Sequence, residues 1–443
     1  MAGGVEFKHE HWGSTFGFLM ASIGSAVGLG NFWRFPTYAG ENGGGAFVLV
    51  YVICVALVAF PVLVAEYGLG RRGGYSSIES VARLAEEAGK SQSWAGLSWI
   101  GGLGAFFILV FYCVIAGWVM AYVPLSFSGD FNEMDSAGIS ARFGVLVADV
   151  NAVLIWQAAF IVVTCVIVAR GVRGGLEAAN SILMPLFFVM LAGLLVFGLV
   201  TGNPAKTFAF LFQPDFSEVT INTWLAALSQ ALFSVGVGSS LMITYGAYLD
   251  KKTNIPRSAA LVALSDTLVA LVAGTAIFLI VFSHDIDPAG GPGLIFQTLP
   301  IAFSQIPGGQ YLGAAFFVLA FFAALTSSIS LMEVGIAWLE ERHGVTRLGA
   351  TIGVGFVLWV FGAGTVYSSQ YLDFVDFISG SVLLPVAAFL ICIFAGYVAV
   401  KKNVNDEIDP SGKFIRWWRP LIMVVAPIAV AAIFIGGIIA KFF

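Results

Sequence analysis

Runs of about 20 apolar residues recur along nearly the whole length of this 443-residue chain. A run of that length crosses the hydrocarbon core of a bilayer as a helix. Hydrophobic residues make up 59% of the chain and charged residues 11%, whereas soluble domains carry about 25% charged residues. The sequence therefore predicts an all-α polytopic membrane protein, with the lipid bilayer as its solvent and no nucleic acid as a partner.

Eleven of these runs are long enough to be membrane spans. They cover residues 14–39, 44–70, 95–125, 148–169, 174–200, 222–249, 257–283, 311–340, 346–366, 371–400 and 419–441. If residues 1–13 form a cytoplasmic tail, seventeen of the 21 Lys and Arg residues lie on the inner side. This distribution obeys the positive-inside rule and gives a cytoplasmic N-terminus. The short tails and the absence of an Asn-x-Ser/Thr sequon favour a cell inner (plasma) membrane.

Glycines interrupt the first span at residues 24–30 and the sixth at residues 236–238. Loosened backbone is tolerated in a membrane only where it is buried in protein or lines a wet cavity. Two interrupted helices five spans apart indicate an inverted repeat with a binding site at mid-membrane. The repeats would be residues 14–200 and 222–400, with 419–441 as an added span. The alternative is glycine used for close helix packing.

Four motifs carry a resemblance to a known family. Residues 28–36 read Gly-Leu-Gly-Asn-Phe-Trp-Arg-Phe-Pro, residues 41–47 read Glu-Asn-Gly-Gly-Gly-Ala-Phe, and Thr244-Tyr245 and Leu325-Thr326-Ser327-Ser328 follow later. Together they resemble the neurotransmitter:sodium symporter family over nearly the whole chain. The resemblance implies its bacterial amino-acid transporter branch with eleven spans. It also implies a 5+5 inverted-repeat transporter fold in which spans 1 and 6 unwind at mid-membrane.

The two breaks suit a zwitterion. The outer half of span 1 starts at its break, so free N–H groups near Leu29 and Gly30 favour an anion. The outer half of span 6 ends at its break, and the carbonyl groups of Phe233 and Ser234 suit an ammonium. By resemblance, family members that carry monoamines have an aspartate at the position of Gly28. Glycine there leaves room for the carboxylate of an α-amino acid.

By resemblance, the hydroxyl of Tyr112 donates to that carboxylate, although an ordinary membrane tyrosine is the alternative. The residues expected to contact the substrate are Ala26, Gly28, Leu29, Gly30, Ile108, Tyr112, Phe233, Ser234, Gly236, Ser239, Ser327 and Leu331. The small residues Gly236 and Ser239 predict a roomy side-chain pocket.

The resemblance also implies two sodium sites, and sodium is a hard cation that prefers oxygen ligands. The first takes Ala26, Asn31, Ser234, Asp266 and the substrate carboxylate. The second takes the Gly24, Val27 and Ala323 carbonyl groups and the Thr326 and Ser327 hydroxyl groups. Asp266 stands in an apolar run, and an intramembrane carboxylate is functional by default; a structural aspartate, protonated or bonded to Ser or Thr, is the alternative. A Thr-Ser pair in a helix often bonds to its own carbonyl groups instead.

Chloride is not expected as a cofactor. Tyr51, Gln230 and Ser234 match the chloride ligands of chloride-dependent members, but Ala270 replaces the expected serine one turn beyond Asp266. The Asp266 carboxylate would supply the negative charge instead.

Two gates follow from the resemblance. The outer gate would pair Arg34 with Asp376 above an aromatic lid of Tyr112 and Phe233. At the inner gate, Trp12 and the tail would meet Tyr248 and Glu341. His9 stands where an arginine is usual, and histidine titrates near pH 6.5. This substitution suggests an inner latch that is weaker at neutral pH.

Two features stay open at this point. Gly175 and Pro185 in span 5 either produce a simple proline kink or let the cytoplasmic end unwind and wet the second sodium. Glu333 could reach a polar or cationic substrate, be protonated and structural, or line the inner path with Glu66.

These features predict a symporter that imports a neutral, hydrophobic amino acid with two sodium ions by alternating access. A transport-silent amino-acid sensor, or a symporter of a more polar amino acid or amino-acid-like osmolyte, is the alternative. A channel would need a continuous polar stripe, whereas the polar groups concentrate at the two breaks. An enzyme would need a nucleophile–base or metal cluster within a span. The four histidines stand instead at span ends or in loops, at positions 9, 11, 284 and 343.

Overall fold

A computed structural model of the chain describes residues 10–132, 134–283 and 293–442, and these residues form helices and no strand. In this part of the chain, nine helices are long and apolar enough to cross a membrane. They are Gly45–Gly73, Gln92–Ser128, Val150–Val168, Val172–Thr201, Ile255–Ser283, Gly309–His343, Arg347–Tyr367, Ser369–Val398 and Ile415–Ile439. They correspond to predicted spans 2–5 and 7–11, and the span numbers are kept below.

Span 1 is a bent pair of helices. Thr15–Ala26 and Leu29–Glu41 meet at an angle of 54°. The residues between them leave the helical conformation, since Val27 has ψ 104° and Gly28 is extended with φ −134° and ψ −169°. The predicted interruption of span 1 is therefore present.

Span 6 is interrupted over a longer stretch. The helix Ile221–Val235 ends at Gly236, and the helix Leu241–Ala247 begins after Ser240. Gly236 and Gly238 have φ values of 76° and 84°, which glycine adopts without the penalty that a Cβ atom imposes. Ser240 shares this left-handed conformation with φ 63°, and its hydroxyl donates to the Ser98 carbonyl at 3.1 Å. Each half is too short to span a membrane alone, so the eleven predicted spans are nine continuous helices, one bent pair and one interrupted pair.

The spans differ in how far they are enclosed. In spans 3, 7 and 8, 72% of the most apolar 18-residue stretch is buried inside the protein, whereas in spans 4, 5 and 11 the buried share is 28%. Residues 21–29 and, apart from Gly236, residues 234–248 are also buried, so the interrupted segments of spans 1 and 6 lie inside the protein. The exposed apolar faces of spans 4, 5 and 11 are available to lipid.

Several connecting segments that the search for 20-residue runs did not predict are also helical. They are Ser77–Glu87, Ser136–Ala148, Pro204–Phe212, Leu294–Ser304 and Lys401–Ile408. Of these, Lys401–Ile408 packs on span 2, where a side chain at Gly68 would meet Ile408 at 2.8 Å.

Candidate substrate and ion site

The interrupted segments of spans 1 and 6 face a cavity of about 50 Å³. All twelve residues that were predicted to contact the substrate line this cavity, together with Ser25, Asn31, Leu241 and Leu384. Leu241 and Leu384 were missed by the sequence analysis because an apolar residue in an apolar span carries no distinguishing signal. The cavity thus joins residues from spans 1, 3, 6, 8 and 10.

The start of the outer half of span 1 forms one wall. The Leu29 N–H donates to the hydroxyl oxygen of Tyr112 at 3.3 Å. A Cβ atom at Gly28 would lie 2.9 Å from the Ser327 Oγ and 3.1 Å from the Tyr112 hydroxyl. The absence of a side chain at Gly28 therefore keeps the space between these two hydroxyl groups open.

The end of the first half of span 6 forms the opposite wall. The Gly236 N–H approaches the carbonyl oxygens of Leu232 at 3.1 Å and Phe233 at 3.2 Å, and the Ser239 hydroxyl donates to the Gly236 carbonyl at 2.7 Å. The remaining lone pairs of the terminal carbonyl groups concentrate negative partial charge at this helix end.

A first polar cluster lies beside the cavity, formed by Asn31, Ser234 and Asp266. The Asn31 Nδ2 donates to the Asp266 Oδ1 at 2.8 Å, and the Ser234 hydroxyl donates to the same oxygen at 2.9 Å. All three side chains are buried. Spans 1, 6 and 7 thus bring together the side chains that the resemblance assigned to the first sodium site, and Ala26 lines the adjoining cavity.

A second polar cluster lies between spans 1 and 8. The Ser327 Oγ lies 3.2 Å from the Ser25 carbonyl oxygen, 3.3 Å from that of Val27 and 3.4 Å from that of Gly24. The Thr326 hydroxyl bonds within its own helix, to Phe322 at 3.0 Å or Ala323 at 3.1 Å. The Thr326 hydroxyl therefore bonds to its own helix, as in the alternative given above, whereas the Ser327 hydroxyl contacts span 1.

On the side that was predicted to face outward, a larger cavity of about 370 Å³ adjoins this one, and Leu29, Gly30, Tyr112 and Phe233 line both. Arg34 and Asp376 line the outer cavity but are not joined by an ion pair or hydrogen bond. The Arg34 guanidinium instead lies 4.4 Å from the centre of the Phe233 ring and donates to the Ser229 hydroxyl at 3.2 Å. The predicted outer pair is thus apart in this conformation, while both residues of the predicted aromatic lid stand at the boundary.

The inner side is closed by contacts of Trp12. Its backbone N–H donates to the Tyr248 carbonyl at 3.2 Å, and its indole Nε1 donates to the Tyr245 carbonyl at 3.1 Å. The carboxylate of Glu341, the other residue predicted at this gate, accepts the Ser76 N–H at 2.7 and 2.9 Å. His9, the proposed pH-sensitive latch, lies outside the described residues.

An ion-pair network that the sequence analysis missed adjoins Tyr248. The Arg347 guanidinium lies 2.5 Å from Glu333 and 2.9 Å from Glu340, and the Tyr248 hydroxyl donates to Glu333 at 3.0 Å. Arg347 was counted only as one of the inner positive charges. Its pairing depends on how spans 8 and 9 pack, and no local pattern reveals that packing.

Glu66 and Glu333 have separate positions. The Glu66 carboxylate accepts the Gly238 N–H at 2.6 Å, so it supports the interrupted segment of span 6. Glu333 belongs to the Arg347 network, and neither carboxylate lines the central cavity. Glu333 is therefore not placed to meet a substrate there.

The inner end of span 5 holds the start of span 1. Glu177 accepts the Gly13 N–H at 2.6 Å and the Ser14 hydroxyl at 2.8 Å, and Arg173 donates to the His11 carbonyl at 3.0 Å. The helix is wound through both Gly175 and Pro185, with a wider π-helical segment at Val172–Glu177. The segment between them is thus not unwound in this conformation.

Replacing Glu177 with alanine is expected to loosen the residues that it holds. Two hydrogen bonds to a carboxylate are lost, each contributing about 1.5–3 kcal/mol. Hydrogen exchange of the backbone amides of residues 13–18 should become at least tenfold faster. Glu79→Ala is the control, because Glu79 forms a loose exposed pair with Arg342 at 4.0 Å. Equal exchange in both variants would show that Glu177 does not hold the start of span 1.

Two of the three residues that match the chloride ligands contact Asp266. The Tyr51 hydroxyl approaches the Asp266 Oδ2 at 3.5 Å, and the Ser234 hydroxyl donates to the Oδ1 at 2.9 Å. The third, Gln230, is buried, and its amide has no hydrogen-bond partner among the described residues. Ala270, one turn beyond Asp266 in span 7, is also buried.

A helical membrane fold with two interrupted spans around a central cavity defines a secondary transporter of the inverted-repeat class. The model of the sodium:neurotransmitter symporter family matches residues 9–137 and 142–442. The chain is 35% identical to an uncharacterised sodium-dependent transporter, YhdH, of Bacillus subtilis (strain 168), over 97% of this chain and 98% of that protein. An uncharacterised sodium-dependent transporter of Haemophilus influenzae is 32% identical, over 97% of this chain and 98% of that protein.

Among solved structures, MhsT in complex with L-phenylalanine has a TM-score of 0.89 and 37% identity, and the match covers 97% of this chain and 100% of that one. The chain belongs to the sodium:neurotransmitter symporter family and is a sodium-coupled, multi-pass membrane transporter. The predicted family and the predicted fold class are confirmed.

Proposed function

We propose that this protein imports a neutral, hydrophobic amino acid together with two sodium ions by alternating access. The observation that carries the proposal is the buried Asn31–Ser234–Asp266 cluster, which adjoins a cavity between two interrupted helices. A helix start and a helix end that face one cavity suit the carboxylate and the ammonium of one zwitterion.

Oxygen atoms at both clusters support two sodium sites. The first ion would be held by Ala26, Asn31, Ser234, Asp266 and the substrate carboxylate, which would tie amino-acid binding to sodium. The second would be held by Gly24, Val27, Ala323, Thr326 and Ser327, where the Ser327 Oγ already lies among span 1 carbonyl groups. Two ions with a neutral zwitterion would supply about 7 kcal/mol, since each gains about 2.3 from 100 mV and roughly 1.4 from a tenfold gradient.

The side-chain end of the cavity supports a hydrophobic substrate. Ile108, Leu241, Leu331 and Leu384 line it, and no acidic or basic side chain does so among the described residues. Glu333, the candidate partner for a cationic substrate, is paired with Arg347. The ligand of the similar protein MhsT, L-phenylalanine, is also hydrophobic.

Alternating access is supported by a difference between the two ends of the central cavity: one end adjoins a larger cavity and the other is closed by side-chain contacts. A cavity of about 370 Å³ stands above the aromatic residues Tyr112 and Phe233, while Trp12 and the Arg347 network close the inner side. We infer that this conformation faces outward, and that Arg34 approaches Asp376 when the outer side closes. The cytoplasmic N-terminus, the cell inner (plasma) membrane and the repeats at residues 14–200 and 222–400 are part of the same proposal.

The experiment that tests the function combines binding with transport. Thermal unfolding of the purified protein is measured with each of the twenty amino acids, in sodium or potassium and in chloride or gluconate. We expect hydrophobic amino acids to raise the unfolding temperature in sodium alone, with either anion. Counterflow of the stabilising amino acid in proteoliposomes then separates a transporter from a sensor. Equal stabilisation by an amino acid in sodium and in potassium would overturn the proposal.

Tyr112→Phe is expected to weaken amino-acid binding at saturating sodium by about tenfold to a hundredfold. The reason is that a hydrogen bond to a charged group contributes about 1.5–3 kcal/mol. Isothermal titration of the amino acid measures the loss. Tyr122→Phe is the matched control. Tyr122 lies in the same span, ten residues and almost three turns from Tyr112, and its hydroxyl donates to the Phe296 carbonyl at 2.9 Å. Equal affinities in both variants would remove Tyr112 from the substrate site.

A further inference from the structure

Asn180 lies in span 5, midway between Gly175 and Pro185, and its side chain is fully buried. Its Nδ2 donates to the Leu176 carbonyl at 2.8 Å, whereas its Oδ1 has no hydrogen-bond partner among the described residues. The contact with a carbonyl fixes the orientation of the amide, since only the nitrogen can donate there. A buried acceptor without a partner is rare and calls for an explanation.

The unpartnered oxygen points at Gly24. A Cβ atom built on Gly24 would collide with the Asn180 Oδ1, and it would also lie 3.1 Å from the Met184 Sδ and 3.1 Å from the Thr326 Cβ. Span 5 therefore approaches span 1 closely because residue 24 has no side chain. The Asn180 oxygen lies in the same layer as Gly24 and Thr326, two members of the proposed second sodium site.

Asn180 is eight residues beyond Val172, where span 5 begins at its predicted cytoplasmic end, a distance of about 12 Å along a helix. Its oxygen therefore lies deep in the protein, level with Gly24 and Thr326. An apolar residue of similar size would fill the same space without an unpaired acceptor.

We propose that Asn180 contributes its side-chain oxygen to the second sodium site, directly or through one bridging water, and so sets the sodium affinity of that site. This inference rests on the proposed function, because it needs an ion among Gly24, Thr326 and Ser327. It adds a third span, span 5, to a site otherwise built from spans 1 and 8. Glu177, three residues before Asn180, accepts hydrogen bonds from Gly13 and Ser14, so span 5 contacts both this site and the start of span 1.

The test replaces the oxygen while preserving the volume. Asn180→Leu is expected to raise the sodium concentration for half-maximal amino-acid binding by about fivefold to tenfold. The affinity for the amino acid at saturating sodium should stay within about twofold. Asn180→Asp, which adds a charge to the same atom, should lower the half-saturating sodium concentration. Both are measured by thermal stabilisation across a sodium titration.

Gln157→Leu is the matched control. Gln157 is also a buried amide with an unpartnered oxygen, but it lies in span 4 against the Leu358 and Trp359 carbonyl groups. If Asn180→Leu has the same half-saturating sodium concentration as the wild type, the inference is overturned. If that variant does not fold, an unchanged value in Asn180→Asp overturns it. A wild-type protein that binds amino acids without regard to sodium overturns the proposed function instead, so the two failures are distinct.

Discussion

Asp266→Asn is expected to abolish sodium-dependent amino-acid binding at ordinary sodium concentrations. The substitution keeps the size of the side chain and removes its negative charge. A unit charge about 4 Å from a cation contributes about 4 kcal/mol in a partly polar protein interior, so sodium affinity should fall roughly a thousandfold. The amino acid would lose affinity with it, because its carboxylate is expected to share the ion. Thermal stabilisation over a sodium titration measures both effects.

Thr275→Val is the control for this experiment. Thr275 lies on the same helix as Asp266, and its hydroxyl donates to the Leu271 carbonyl at 2.7 Å. The control variant should bind sodium and amino acid as the wild type does. If Asp266→Asn keeps the wild-type sodium dependence, the carboxylate is structural and the first sodium site lies elsewhere.

Arg347→Ala is expected to open the inner side of the protein. The Arg347 side chain is 12% exposed and its partner Glu333 is 0% exposed, so the substitution leaves a buried carboxylate without its cation. Removing one partner of a buried pair costs about 3–5 kcal/mol, which favours conformations that expose Glu333 to water by roughly a hundredfold to several thousandfold. Hydrogen exchange at residues 12–18 and 245–249 should accelerate, and counterflow of the amino acid should fall by at least tenfold.

The double variant Glu333→Gln with Arg347→Met is expected to restore much of the closure, because it removes both charges and not one. Arg342→Ala serves as the control, since Arg342 is 65% exposed and lies 4.0 Å from Glu79; such surface pairs contribute about 0–1 kcal/mol. Equal exchange rates in Arg347→Ala and Arg342→Ala would mean that the network does not hold the inner side closed.

Most of the residues that line the central cavity were predicted, and so was the contact of Trp12 with Tyr248. Gly28 and Gly30 stand in a long motif, and the glycine breaks mark where spans 1 and 6 leave the helical conformation. The contacts of the charged gate residues were not predicted. Arg34 and Glu341 carry long charged side chains near helix ends. Their partners depend on how far the helices have tilted, and here Arg34 meets Phe233 and Glu341 meets Ser76. Arg347 and Asn180 gave no local signal, because their neighbours come from distant parts of the chain.

The amino-acid sequence by itself determined that this chain crosses a membrane many times and that spans 1 and 6 are interrupted. Both follow from local rules: apolar length sets the spans, and glycine sets where a helix can loosen. Only the tertiary structure decided that Arg34 meets Phe233, that Glu333 pairs with Arg347, and that the Asn180 oxygen faces Gly24. The physical reason is that electrostatic pairing and hydrogen bonding act over a few ångströms, and these distances exist only once helices far apart in sequence have packed.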